Sequence, residues 1–125
     1  MIRIQRVYEA AAKGQEKRFL VERLWPRGVT KQKAALDLWL KDVAPSSALR
    51  TWYGHDPAKW PRFRERYWKE LASSGEAVED LKQKVRKGTV TFVYAARDER
   101  HNGALALKEF LELRKGRGTR SSSGA

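Results

Sequence analysis

The sequence predicts a single small α/β domain: a mostly parallel sheet of about three or more strands, covered by helices in Rossmann-like layering. Three observations carry that expectation. Thr89 to Ala95, TVTFVYA, is an unbroken β-branched and aromatic run, the pattern of a strand buried on both faces. Two further β-favouring runs, Ile2 to Tyr8 and Phe19 to Trp25, lie near the start of the chain. Between them and Thr89 the apolar residues recur at helical spacing, and strands joined through helices pair in parallel.

In order along the chain, Ile2 and Ile4 alternate into Arg6-Val7-Tyr8 as the first strand, and 10–17 is a polar connection around Gly14. The second strand runs from Phe19 to Trp25 and ends at Pro26-Arg27-Gly28, which cannot continue a ladder. From Thr30, a candidate cap, the residues Ala34, Ala35, Leu36, Leu38, Trp39 and Leu40 predict a helix that ends before Pro45. Ser46 or Ser47 opens a short helix closed by Gly54. Asp56-Pro57 caps the next, whose regular part starts near Pro61 and whose Trp60, Phe63, Tyr67, Trp68 and Leu71 face the core. Glu76 to Arg86 is a further helix, with acids early and bases late as the helix dipole prefers. After the third strand, Asn102 caps a last helix carrying Ala104, Leu105, Leu107, Phe110 and Leu111. One domain over 1–115 follows, with a basic Gly/Ser-rich tail over 116–125 expected to be disordered.

Composition narrows the function classes. There are no cysteines and two histidines among 125 residues, which leaves no thiol chemistry and argues against a His/Cys metal site; no cofactor is implied. No apolar run reaches membrane-spanning length and the N-terminus lacks the apolar core of a signal peptide, so a soluble cytoplasmic protein is expected, with no membrane partner. The net charge of +12 attracts polyanions without specifying one, and part of it (Arg114, Lys115, Arg117, Arg120) sits at the basic end of the chain.

In parallel α/β folds ligands bind beyond the carboxyl ends of the strands. Arg6 and Tyr8, Arg23 and Arg27, and Tyr94 and Asp98 all fall at or just past such ends. Arginines there suit an anion clamp, because the guanidinium offers several fixed donors. The segment Tyr94 to Gly103 carries a phenol, a carboxylate and an imidazole into a helix start, a setting that favours anions and proton transfer. His101 is the candidate general acid/base, with Asp98 orienting it or acting as nucleophile, and His55 is a second proton carrier. Tyr94 and Asn102 are candidate donors to the anion beside Arg6, Arg23 and Arg27, and Arg23, Arg27 and His101 are expected to share one pocket. Each segment also has a structural explanation: Asn102 and Asp56 as caps, His55 as a turn residue after Gly54, and the basic face of Lys59, Arg62, Arg64, Arg66 and Lys69 as a solvated helix side. No GxGxxG, Walker A, GxSxG, helix-turn-helix or zinc-finger signature is present.

Taken together, RVYE, RLWPRG, LDLWLKDVAPS, LRTWYGHD, FRERYWKEL and ARDERHNGALALKEFL resemble the YeaO-like family (domain of unknown function 488), small prokaryotic proteins, over Ile2 to about Leu113. The resemblance implies no particular reaction. It marks Arg6, Tyr8, Arg23, Trp25, Arg27, Asp37, Trp39, Ser46, Arg50, Trp52, His55, Asp56, Asp98, His101 and Asn102 among its signature positions, whereas Tyr53, Pro61 and the basic tail depart from it. Two functions remain open. One is a small enzyme acting on an anionic, phosphate-bearing, nucleotide or nucleic-acid-derived substrate. The other is a non-catalytic nucleic-acid-binding or regulatory protein working through its basic surface.

Overall fold

Val90 to Tyr94 is the middle of the molecule. All five residues of this strand are buried, and it pairs in parallel on both sides, so its backbone donors and acceptors find ladder partners away from water. The computed structural model describes residues 1–9 and 17–124, with side chains to 113. Its sheet has four parallel strands in the order β1-β4-β2-β3: β1 Ile2–Arg6, β2 Lys17–Leu20, β3 Leu38–Trp39 and β4 Val90–Tyr94. Ile2 lies beside Val90 and Arg6 beside Tyr94, Leu20 beside Val93, and Trp39 beside Leu20, so all four strands end at one edge. Five helices complete the α/β domain: α1 Lys31–Ala34, α2 Ser47–Tyr53, α3 Trp60–Ser73, α4 Gly75–Arg86 and α5 Gly103–Gly124.

The two faces of the sheet are covered unequally. Phe19, Val21, Val90, Phe92 and Tyr94 point into the main core, where they meet Leu49 and Tyr53 of α2, Phe63, Tyr67 and Leu71 of α3, Val78 and Leu81 of α4, and Leu107 and Phe110 of α5. Leu20, Val93 and Val7 face a thin second layer made of Ala34, Trp25, Val29, Leu36 and Trp39. There the Trp25 and Trp39 rings meet edge to face at 5.3 Å, and each indole N–H is satisfied by a backbone carbonyl, that of Val29 and of Glu22.

Two elements differ from the sequence reading. The helix expected from Thr30 to Leu40 is one turn. Thr30 caps it as expected, its hydroxyl accepting from Lys33 N–H, but Ala35 turns left-handed at φ 49° and the chain then joins the sheet edge. The Asp37 N–H donates to Arg18 O and the Leu40 N–H to Leu20 O, both at 2.8 Å, while the Asp37 carboxylate accepts from Arg18 N–H. Open ladder groups on β2 outweigh the weak helix propensity of this stretch. The second strand, expected to reach Trp25, stops at Leu20 because β4 ends: the Val21 N–H still donates to Val93 O, and beyond it the neighbouring ladder is gone. The connection expected over 10–17 lies outside the described residues up to 16, and the tail expected over 116–125 lies beyond the described side chains.

The remaining punctuation is as the sequence predicts. The Ser46 hydroxyl caps α2, and Gly54, left-handed at φ 54°, closes it. Asp56 caps a 3-10 turn over Pro57–Lys59 that leads into α3, with Pro61 in its first turn. Asn102 caps α5, its Oδ1 accepting from Leu105 N–H at 2.8 Å and its amide donating to Asp98 O at 3.0 Å. Asn102→Ala removes both bonds and is expected to cost about 0.5–2 kcal/mol in a denaturant titration.

Candidate functional site

The carboxyl edge holds a small cleft lined by Glu22 after β2, Pro45, Arg50 and Tyr53 of α2, His55 in the following turn, and Ala96, His101, Asn102 and Gly103 at the entry to α5. Each side chain is positioned by a local device. Consecutive left-handed residues, Gly54 at φ 54° and His55 at φ 57°, turn the chain back over the end of α2. A non-glycine residue there is strained by about 1–3 kcal/mol, a cost that functional loops commonly carry. His101 is fixed by Asp98, whose Oδ2 lies 2.8 Å from its Nδ1 and whose Oδ1 accepts the backbone N–H groups of Arg100 and His101. These bonds, the one from Arg100 N–H foremost, lower the Asp98 carboxyl below its ordinary range. The ring of Trp60 meets His101 edge-on at 5.4 Å, and the Tyr53 hydroxyl donates to the His101 carbonyl at 3.1 Å. Burial, with Asp98 and Asp56 nearby, pushes the Tyr53 phenol up to about 12, so it stays a neutral donor.

Glu22 is the acid of the cleft. Burial raises its carboxyl; the Ala95 N–H donated to Oε2 at 3.2 Å and the charges of Arg50 and His55 oppose that rise. A carboxyl raised in the folded state holds its proton more tightly there than in the unfolded chain. Its stabilising contribution is therefore full below about 4.5, the ordinary value, and is lost as pH rises through the folded value. Glu22→Gln keeps an acceptor for Ala95 N–H and abolishes this titration. Its melting temperature is expected to exceed that of the wild type increasingly above pH 5; parallel curves for the two proteins from pH 4 to 8 would contradict the assignment.

Arg50 is half-buried at the cleft, and among the described residues its guanidinium makes no side-chain hydrogen bond or ion pair. It shares the cleft with the two imidazoles and Glu22. The Asp98 contact occupies Nδ1 of His101, which leaves Nε2 for a ligand. The cleft thus brings a guanidinium, two imidazoles and a carboxyl within one small space.

The residues anticipated at this edge divide into two groups. His101, Asp98, His55 and Asn102 assemble in or against the cleft. Arg23 and Arg27 are not among its lining residues, contrary to the expected shared pocket. The Arg23 guanidinium donates to the carbonyls of Ala44 at 3.0 Å and Pro45 at 3.4 Å, pinning the chain ahead of α2. Arg27 is exposed, and its carbonyl accepts from the Tyr8 hydroxyl. Arg6 donates to Ala96 O at 3.0 Å and lies over the Tyr8 ring, tying the end of β1 to the loop after β4. Tyr94 is in the main core at 2% exposure, its phenol raised by burial first. Glu22, Arg50 and Tyr53 are the cleft residues that site reasoning from sequence passed over. The signal for Arg50 is its place among the signature positions; Glu22 and Tyr53 look like ordinary strand-end and helix residues until the fold closes over them.

A larger cavity, about 780 Å³, opens at the opposite, amino edge between Lys17, Asp37, Lys84, Lys87 and an apolar floor of Phe19, Leu38 and Val90. It is lined by no histidine among the described residues. Among the described residues no group of three or more His, Asp or Glu could hold a metal ion, and no helix is long and apolar enough to cross a membrane.

Against known sequences, the profile of the inactive DUF488-N3 subclade matches residues 1–124. The chain belongs to this family. Several known proteins are similar over nearly the full length. "Uncharacterized protein Rv3073c" of Mycobacterium tuberculosis and "Uncharacterized protein Mb3100c" of Mycobacterium bovis are each 38% identical over 113 residues, 90% of this chain and 95% of theirs. "Uncharacterized protein YeaO" of Escherichia coli is 37% identical over 110 residues, 88% of this chain and 96% of its own. No solved structure matches the chain.

Proposed function

We infer that the carboxyl-edge cleft of this DUF488-N3 member binds a small anion, of the size and charge of a phosphate or carboxylate group, and holds it without turnover. The observation that carries this reading is Arg50, a half-buried guanidinium with no side-chain bond among the described residues, set in one cleft with two imidazoles. The Glu22 carboxyl faces its charge, but the guanidinium's fixed donors stay unfilled until a ligand accepts from them. The cleft encloses about 60 Å³. Bulk water takes about 30 Å³ per molecule, so the space suits one tetrahedral or planar group. Cavities that enclose whole drug-sized ligands start at about 300 Å³, so a nucleotide would leave its base and sugar outside. The start of α5, at Asn102 and Gly103, adds a helix end that favours negative charge. The subclade's description as inactive supports binding rather than chemistry.

One observation favours a catalytic reading, a small enzyme acting on an anionic, phosphate-bearing substrate: the Asp98–His101 pair holds an imidazole in a fixed orientation beside the anion site. Calorimetric titration with inorganic phosphate, sulfate and acetate, with release of phosphate from simple monoesters followed in parallel, tests both. Saturable binding without release is expected. Release that vanishes in His101→Ala would move the catalytic reading ahead, and no binding of any of the three anions would remove both.

A further inference from the structure

A second surface stands apart from the cleft. Of the five tryptophans, Trp25, Trp39 and Trp68 donate their indole N–H to backbone carbonyls. Trp52 is half-buried on α2 and its indole N–H has no acceptor among the described residues. Two cations gather on its ring instead: the Arg66 guanidinium at 4.2 Å and the Lys59 ammonium at 5.1 Å. Lys59 is held in place by donating to the Trp52 carbonyl at 2.8 Å.

Arg62, Arg66 and Lys69 continue this row along α3 at spacings of four and three, which puts them on one side of the helix, neighbours about 5–6 Å apart at Cβ. Nearby acids are each engaged, one of them by the row's own Lys69. Glu65 pairs with Lys69, Glu70 accepts from Ser46, and Glu109 pairs with Arg64. Lys59, Arg62 and Arg66 have no ion-pair partner among the described residues. With 27 Lys and Arg against 15 Asp and Glu, unpaired cations alone do not set a helix side apart, whereas two of them gathered on one ring do. This one presents three uncompensated cations, two of them ordered on an aromatic ring.

We propose that the Trp52–Lys59–Arg62–Arg66 face binds single-stranded nucleic acid. Lys59, Arg62 and Arg66 take backbone phosphates, and the Trp52–Arg66 stack with its free indole N–H gives an unpaired base a flat polar surface. Charge complementarity points to a polyanion, consistent with the net charge of +12. The aromatic component points to unpaired bases, which a duplex keeps stacked inside.

The full chain is titrated with a fluorescent oligothymidylate by anisotropy over a series of KCl concentrations. Arg62→Gln/Arg66→Gln, both on exposed positions, is expected to lower the slope of log affinity against log salt by about 1.4, roughly 0.7 for each phosphate that the variant leaves unneutralised. The charge-matched Lys31→Gln/Lys33→Gln pair on α1 is expected to leave the slope unchanged. Trp52→Leu, which keeps an apolar body against the core, is expected to weaken binding roughly tenfold. An unaltered slope in Arg62→Gln/Arg66→Gln, an equal fall in the α1 pair, or a duplex bound as tightly as the single strand would each overturn the proposal.

Discussion

Phe63→Ala is expected to destabilise the protein by about 3–5 kcal/mol, a large share of the roughly 5–15 kcal/mol that holds a domain of this size folded. Phe63 is 2% exposed and sits at the centre of an aromatic cluster. Its ring stacks on Tyr53 at 4.3 Å, lies 5.7 Å from Trp60 and 6.0 Å from Tyr67, and so joins α2 to α3 and both to the loop that holds His101. Its removal leaves a cavity that rings fixed on three sides cannot refill. Differential scanning calorimetry should show a fall of roughly 10–20 °C. Tyr67→Ala should behave alike, since Tyr67 is 1% exposed and its hydroxyl donates to the Val43 carbonyl. Trp39→Ala should cost less than either, because Trp39 is half-buried in the thin layer. A loss under about 1 kcal/mol for Phe63→Ala would show that α2 and α3 are held by something other than this cluster.

Arg50→Ala is expected to do the reverse: to spare the fold and remove the ligand. A charge-assisted hydrogen bond contributes about 1.5–3 kcal/mol, so phosphate affinity should fall by about 10–100-fold. The melting temperature should stay within a few degrees, because the guanidinium makes no hydrogen bond or ion pair among the described residues and only its charge opposite Glu22 is lost. Arg23→Ala separates the two roles. It exposes the carbonyls of Ala44 and Pro45 to no donor from that side chain, so it should lower stability more than Arg50→Ala and phosphate affinity less. Equal effects of the two variants on affinity would mean that the anion is not held at the cleft.

This division marks what could be seen in the sequence. The buried strand Val90–Tyr94, the caps at Thr30, Ser46, Asp56 and Asn102, and the apolar stripe of α3 were legible because each rests on local chemistry or on a period. Leu38–Trp39 was not: Leu36, Leu38 and Leu40 do alternate, but the same residues fit a helix, and only the unpaired edge of β2 decides between the two. The site was legible in half. Asp98 and His101 meet through a three-residue loop, which sequence proximity shows. That His55 comes to the same cleft as His101 depends on Tyr53, whose ring packs on Phe63 and Trp60 and whose hydroxyl reaches the His101 carbonyl. Arg23 and Arg27 looked like a clamp because both follow a strand. After Leu20 the chain leaves the sheet, and Arg23 is spent on the Ala44 and Pro45 carbonyls while Arg27 turns to solvent.

In the proposed function His55, His101 and Arg50 serve one anion. Long-range proton–nitrogen correlation of the two imidazoles during addition of inorganic phosphate tests it most directly, since each ring nitrogen reports its own environment. His55 and His101 are expected to shift together with a single midpoint, the larger change at His101 to fall on Nε2 because Asp98 holds Nδ1, and Arg50→Ala to move both midpoints by the same factor. Shifts with two different midpoints, shifts unaffected by Arg50→Ala, or imidazoles that do not respond to phosphate at all would contradict it.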